Sequence, residues 1–212
     1  MGKDGKRGLI ICICGMAGSG KSTVARRIAE HYGLKYLSGG DALKAIAIER
    51  GYNAQERGWW ESREGMRFLR ERMKNPDFDE MVDRKLIEMA GEGDVVLDSW
   101  TMPWLLDGGF KIWLEASEEV RAKRVAGRDN LPIEEAVRMI REKEGKTKAI
   151  YERLYGFKLG EDMEPFNLIV DVNLLDAEEV FQILRMAIDS LVIRGKRRIY
   201  TAKHSQTQPG SG

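Results

Sequence analysis

Eight consecutive residues, Gly15, Met16, Ala17, Gly18, Ser19, Gly20, Lys21 and Ser22, match the spacing G-x-x-x-x-G-K-[S/T], and Thr23 follows directly. Glycines in such a run let the backbone curl until successive N–H groups point into one concavity, which attracts an anion. A helix starting at Lys21 would add the positive end of its dipole to the same point. The Lys21 ammonium has the reach and charge for terminal phosphates, and the Ser22 hydroxyl suits Mg²⁺. The segment is therefore expected to bind a nucleoside triphosphate through all nine residues from Gly15 to Thr23. A plain glycine turn would not need Lys-Ser in register with a strand before it and a helix after it.

The surrounding pattern supplies those elements. An apolar, β-branched run from Leu9 to Cys14 precedes the loop, and a helix-compatible run from Ser22 to Glu30 follows it. Three further apolar runs read as buried parallel strands: Asp94 to Leu97, Phe110 to Leu114 and Asn167 to Asp171. A weaker strand candidate spans Leu34 to Leu37. Helical periodicity falls over 21–31, 41–50, 61–73, 77–90, 118–127, 133–155 and 177–193. Such alternation predicts an α/β fold of three layers, with a five-stranded parallel sheet covered by helices on both faces. The predicted organisation is one domain over 1–193. It carries a mostly helical insertion at 40–92, a charged insertion at 128–160 and a tail at 194–212.

Composition narrows the function classes. The 212 residues are 33% charged and 42% hydrophobic with a net charge of +1, which fits a globular protein and argues against a nucleic-acid-coating one. No run approaches a membrane span, and the start lacks the apolar core of a signal peptide. The two cysteines, Cys12 and Cys14, lie one residue apart in the first strand and share a face, so they read as small core hydrophobes. Together these point to a cytoplasmic protein. The last stretch, Arg194 to Gly212, carries five basic residues and no acidic ones. It reads either as a solvated, disordered tail or as an electrostatic arm for RNA or another polyanion.

A loop of this kind does not by itself separate kinases from GTPases and other nucleotide-dependent proteins. The base-reading N-K-x-D pattern expected of a GTPase is missing. The fourth strand leads instead into a segment carrying Arg121, Arg124 and Arg128, three and four residues apart and so on one helix face. Distributed positive charge of that kind suits a transferring phosphoryl group, whose charge spreads over its equatorial oxygens. The alternative by spacing is an exposed basic face paired with Glu118 and Glu119.

Several further patterns fall in order. Ser38-Gly39-Gly40-Asp41 follows the second strand, with Lys44 three residues on. Asp79, Asp83 and Arg84 follow as D-x-x-x-D-R, and Asp98 ends the third strand. The arginine triplet comes next, and then Tyr151, Tyr155 and Gly156 as Y-x-x-x-Y-G. With the loop, these motifs make the chain, from Gly15 to about residue 170, resemble the nucleoside monophosphate kinases of the P-loop NTPase fold, most closely the archaeal-type cytidylate kinases. The resemblance implies an ATP-dependent kinase acting on CMP or dCMP. It implies ATP in the loop, with adenine near Arg124 and the turn after Asp171. Mg²⁺ would be held by Ser22 and, through water, by Asp98. Lys21, Arg121, Arg124 and Arg128 would be the catalytic cations. Ser38, Gly39, Asp41, Lys44, Asp79, Asp83 and Asp98 would contact the acceptor.

The chain departs from the family at two positions. Lysine stands at 44 and tryptophan at 100 where the family has arginine, so two bidentate forks are replaced. These departures keep open a kinase of the same fold with another small acceptor or an RNA end, and a regulatory nucleotide-binding ATPase. Trp59 and Trp60 read either as a stacking platform for a base or as a packed hinge, and Trp113 as core. Asp79 and Asp83 either read an amino-bearing base or pair with Lys85 and Arg84 at the surface. His31 reads as a partner for the end of the first helix, and Lys143, Lys146 and Lys148 as solvated charge. The expected assembly is a monomer or small homo-oligomer.

Overall fold

The computed structural model describes residues 8–54 and 58–193. Five strands form one parallel sheet: β1 (Ile10–Cys14), β2 (Lys35–Ser38), β3 (Val95–Asp98), β4 (Phe110–Glu115) and β5 (Leu168–Asp171), in spatial order β2-β3-β1-β4-β5. β1 is central, and its residues Ile11 and Ile13 pair with Val96 and Asp98 on one side and with Phe110 and Ile112 on the other. The strand order therefore reverses about β1. In an open α/β sheet that is where a ligand is held, outside the carboxyl ends of the strands.

Every β1 residue is buried, because helices cover both faces of the sheet. Side chains alternate across a strand. Ile11 and Ile13 join one core with Val24 and Ile28 of α1 (Lys21–Tyr32) and with Phe181 and Leu184 of α8 (Ala177–Ala187). Ile10 and Cys12 join another with Leu43 of α2 (Gly39–Glu49) and with Phe78, Val82 and Leu86 of α4 (Asp77–Gly91). Each fully buried aliphatic side chain contributes about 1.5–3 kcal/mol by leaving water. Cys14 lies on the Cys12 face and packs with Trp113, which is core as expected. Both thiols are free and buried, and loss of hydration pushes Cys12 up to about 12 and Cys14 further still.

The remaining helices are α3 (Arg63–Lys74), α5 (Met102–Leu105), α6 (Glu118–Asp129) and α7 (Ile133–Tyr155). Several boundaries move from their expected positions for reasons of capping. Ser38 ends β2 and caps α2, its Oγ accepting from the Asp41 N–H at 3.1 Å, so the helix opens at Gly39. Ser62 caps α3 in the same way, accepting from the Gly65 N–H at 3.1 Å, so that helix opens at Arg63. A 3-10 turn at Trp59–Glu61 precedes it. α5 falls outside the expected helices, and Pro103 in its first turn suits it to a short start. The expected helix at 177–193 is α-helical to Ala187 and continues as a π-helical turn, Ile188–Ile193. Glu118 pairs with Arg141 of α7, not with the arginines of its own helix. Among the described residues no helix is long and apolar enough to cross a membrane. The basic segment 194–212 lies outside the described residues.

Candidate active site

The loop from Gly15 to Ser22 joins β1 to α1 at the carboxyl edge of the sheet. Its path requires glycine at more than one position. Gly18 lies against α6 so closely that a Cβ would stand 2.6 Å from the Arg121 carbonyl oxygen. Gly20, with φ of +93°, caps α1 in a conformation that side chains disfavour. Ser19 Oγ is buried and has no hydrogen-bond partner among the described residues, a polar atom left for a ligand to satisfy. Lys21 Nζ lies 5.5 Å from the centre of the Trp100 ring, whose indole N–H donates to the Gly15 carbonyl at 2.7 Å. Trp100 thus braces the loop and carries its lysine on one face.

Two clefts open from this loop. The first runs along α1 toward α8 and is lined by Gly18 to Val24, Arg124, Arg128 and Leu175 to Ala177. Arg124 donates to the carbonyls of Ser19 (3.3 Å), Val172 (2.8 Å) and Leu175 (3.2 Å). Its guanidinium therefore fixes the turn after β5 against the loop.

The second cleft, open to solvent, lies between the loop, α2, α3, α4 and α7. Ser38, Gly39, Asp41, Lys44, Asp79, Asp83 and Asp98, the residues expected to meet the acceptor, all line it. Three of them are committed partly elsewhere. Ser38 caps α2, and the exposed Asp41 carboxylate pairs with Arg26 at 2.8 Å. Asp98 is buried at the end of β3 and accepts from the Tyr36 hydroxyl at 2.9 Å. Trp60, Trp100, Lys143, Thr147 and Tyr151 complete the wall.

At the closed end of this cleft lies a polar cluster. Asp79 is buried against Arg72 through two hydrogen bonds, Nε to Oδ2 at 3.1 Å and Nη2 to Oδ1 at 2.5 Å. Burial opposes the Arg72 charge, but Asp79 and Tyr151 outweigh it and hold the guanidinium protonated. Asp83 accepts from the Thr101 hydroxyl at 2.6 Å and from the Tyr155 hydroxyl at 2.7 Å. Loss of water still wins, and its carboxyl is pushed up to about 6. Neither aspartate pairs with Arg84 or Lys85, because both point inward from α4; Lys85 pairs with Glu88. Removing the partner of a buried charge typically costs about 3–5 kcal/mol. Arg72→Ala should accordingly lower the urea midpoint by that equivalent. A loss below about 1 kcal/mol would mean that Asp79 finds water in the folded state.

Three placements could not be read from spacing. Arg121, expected to close over the phosphoryl group, is 7% exposed and lines neither cleft. Its donors go to Glu144, Ala17 O and Ala116 O, so it sits behind the loop. Trp59 and Trp60, read as one unit, divide the alternatives. Trp59 packs in the core against Tyr52 and Phe68, while Trp60 faces the cleft with Lys143 Nζ 5.4 Å from its ring centre. Lys143, read as solvated charge, lines the acceptor cleft.

Arg72, Glu144 and Thr101 were missed as site residues. For the first two a signal was present. Arg72 falls on the apolar stripe of α3 with Phe68 and Leu69, and Glu144 on that of α7 with Ile140 and Tyr151. A charge on a buried stripe needs a partner.

A model of the "Cytidylate kinase-like family" matches residues 10–174. The cytidylate kinase of Pyrococcus horikoshii is 37% identical over 184 residues, 86% of this chain and 90% of that protein. Those of Methanopyrus kandleri and Methanocaldococcus jannaschii are 37% and 34% identical, covering 88% and 86% of this chain and 96% and 99% of their own. Among solved structures, a shikimate kinase from Acinetobacter baumannii in complex with shikimate superposes with a TM-score of 0.52 at 19% identity, over 85% of this chain and 93% of that one. That likeness concerns the fold alone.

Proposed function

The chain belongs to the cytidylate kinase-like family, and we propose that it transfers the γ-phosphoryl group of ATP to CMP, and to dCMP, giving ADP and the diphosphate. The observation that carries this reading is that both clefts are lined by the same Gly18, Lys21, Ser22 and Arg128. A donor in the first cleft and an acceptor in the second would meet there, end to end. An oxygen of the acceptor phosphate would form the new bond to the γ-phosphorus as the bond to the β,γ-bridging oxygen breaks. No covalent enzyme intermediate is needed, so positioning and charge carry the catalysis. Lys21 and Arg128 supply that charge, and Arg124 orders the adenine side. Ser22 and Asp98 are the oxygens suited to Mg²⁺, which when bound would neutralise developing charge on the phosphates.

The closed end of the acceptor cleft supports cytosine. A cytosine edge offers an amino donor beside ring acceptors. Asp83 complements the donor, and the Arg72 guanidinium beside Asp79 complements the acceptors. Uracil would set a carbonyl against the Asp83 carboxylate. An arginine from α3, Arg72, lines this cleft, with two of its nitrogens engaged by Asp79.

An ADP-release assay across the monophosphates, with water as control, tests the reading. CMP and dCMP should exceed UMP by about tenfold or more, the size of one buried polar mismatch. Equal rates with water alone would favour a regulatory ATPase. Asp83 adds a pH signature, because its raised carboxyl is ionised only above about pH 6. Below that, kcat/KM for CMP should fall about tenfold per unit, carried by KM, and Asp83→Asn should erase the inflection. The folded carboxyl lies above its unfolded value of about 3.9. Its contribution to stability is therefore fully present below about pH 4 and is lost as pH rises through 6. The predicted loss of activity on acidification is thus not unfolding driven by this group.

A further inference from the structure

Glu144 stands on the buried face of α7, 8% exposed, and no step of the transfer uses it. Its Oε1 accepts from the Ala17 N–H at 3.0 Å and from Arg121 Nη1 at 2.5 Å. The same Arg121 nitrogen donates to the Ala17 carbonyl at 3.0 Å, and Arg121 Nε donates to Ala116 O at 3.1 Å. Both polar groups of Ala17, a loop residue, are therefore held by one buried ion pair. The next loop residue, Gly18, lies directly on the Arg121 carbonyl. On the same helix, Lys143 and Thr147 line the acceptor cleft.

We propose that Glu144 is a positioning residue that, with Arg121, fixes the Ala17 peptide and so presets the loop for triphosphate in register with the acceptor wall. The proposal rests on the reading of the loop as the ATP site. Packing alone does not account for the pair. Apolar side chains of similar volume commonly replace a buried ion pair without loss of stability, sometimes with a gain. Such a replacement would join α6 to α7 equally well. It would also leave the Ala17 amide and carbonyl without partners, and the loop free to sample other shapes.

That difference is the test. The full chain is compared with Glu144→Gln and with the double variant Arg121→Met/Glu144→Leu. Tm is followed by circular dichroism, and affinity for a non-hydrolysable ATP analogue by calorimetry, a readout independent of the acceptor. The double variant should melt within a few degrees of the parent yet bind the analogue about tenfold or more weakly, as expected when two buried polar groups lose their partners. Glu144→Gln keeps an acceptor for the Ala17 N–H and should fall between, with a loss of about two- to fivefold. A folded double variant with analogue affinity within about twofold of the parent would overturn the proposal. If the double variant does not fold, Glu144→Gln decides: an unchanged affinity at unchanged Tm overturns it, and a loss at unchanged Tm supports it. A parent that does not bind the analogue overturns the ATP reading as well, which separates the two failures.

Discussion

Replacing Lys21 by alanine is expected to lower the rate of phosphoryl transfer by about three orders of magnitude while leaving the fold intact. The lysine opens α1 at the junction of the two clefts, with its ammonium over the Trp100 ring. A unit charge about 4 Å from a phosphate oxygen is worth on the order of 4 kcal/mol at an effective dielectric of 20. At about 1.4 kcal/mol per decade, that is about a thousandfold when the charge acts on the transition state. Alanine is the best helix former, so α1 should start normally, and Tm should shift by only a few degrees. Lysine has no fork to match, so its contribution is that of a mobile point charge. Lys21→Arg should consequently recover part of the rate at most, because it keeps the charge but spreads it over a longer, planar group. The check is a coupled assay for ADP with CMP as acceptor, run beside a thermal melt. A Lys21→Ala protein within tenfold of the parent would remove the lysine from the mechanism.

Arg128→Ala should separate catalysis from binding. The side chain leaves the last turn of α6, lines both clefts and is bound to Asp129 through Nε to Oδ1 at 2.8 Å and Nη2 to Oδ2 at 2.5 Å. The Arg128 side chain is 41% exposed and borders both clefts, so a phosphoryl group bound between them would compete with Asp129 for it. Asp129 itself packs against the turn at Gly58, where a Cβ would stand 2.9 Å from its carboxylate. The carboxylate is thus held in place beside the arginine. Loss of an arginine acting on the phosphoryl in flight typically costs about 10³–10⁵ in kcat. The expected result is a fall of at least about 10³ in kcat with affinity for ATP changed less than about fivefold. Arg128→Lys should restore some of the rate, since it keeps the charge but loses the fork. If alanine changes only the apparent affinity for ATP, Arg128 is a binding residue and the transition-state role is wrong.

Much of the donor side was legible because its signals are local. A glycine at a left-handed position, a lysine one residue into a helix and a β-branched run before them each follow from near neighbours in the chain. The acceptor side depends on which helix faces meet, which no local pattern states. Asp79 and Asp83 were visible as one face of a helix, but their partners Arg72, Thr101 and Tyr155 come from α3, the turn after β3 and the end of α7. Spacing alone could place Arg121, Arg124 and Arg128 on one side of α6. It could not say that the first would be buried by Glu144, 23 residues further on. The tryptophan pair shows the same limit, since adjacent residues in a 3-10 turn point one into the core and one into the cleft.

Cys12 and Cys14, the chain's two sulfhydryls, lie in the middle strand of the sheet, and burial keeps them protonated. Only the thiolate reacts, so in the folded molecule both are chemically silent. A thiol reagent added to the native protein will modify only those molecules whose central strand has opened. Labelling is thus a clock for the rarest excursion the molecule makes. Because the nucleotide loop continues directly from Cys14, whatever tightens that loop should also slow the clock.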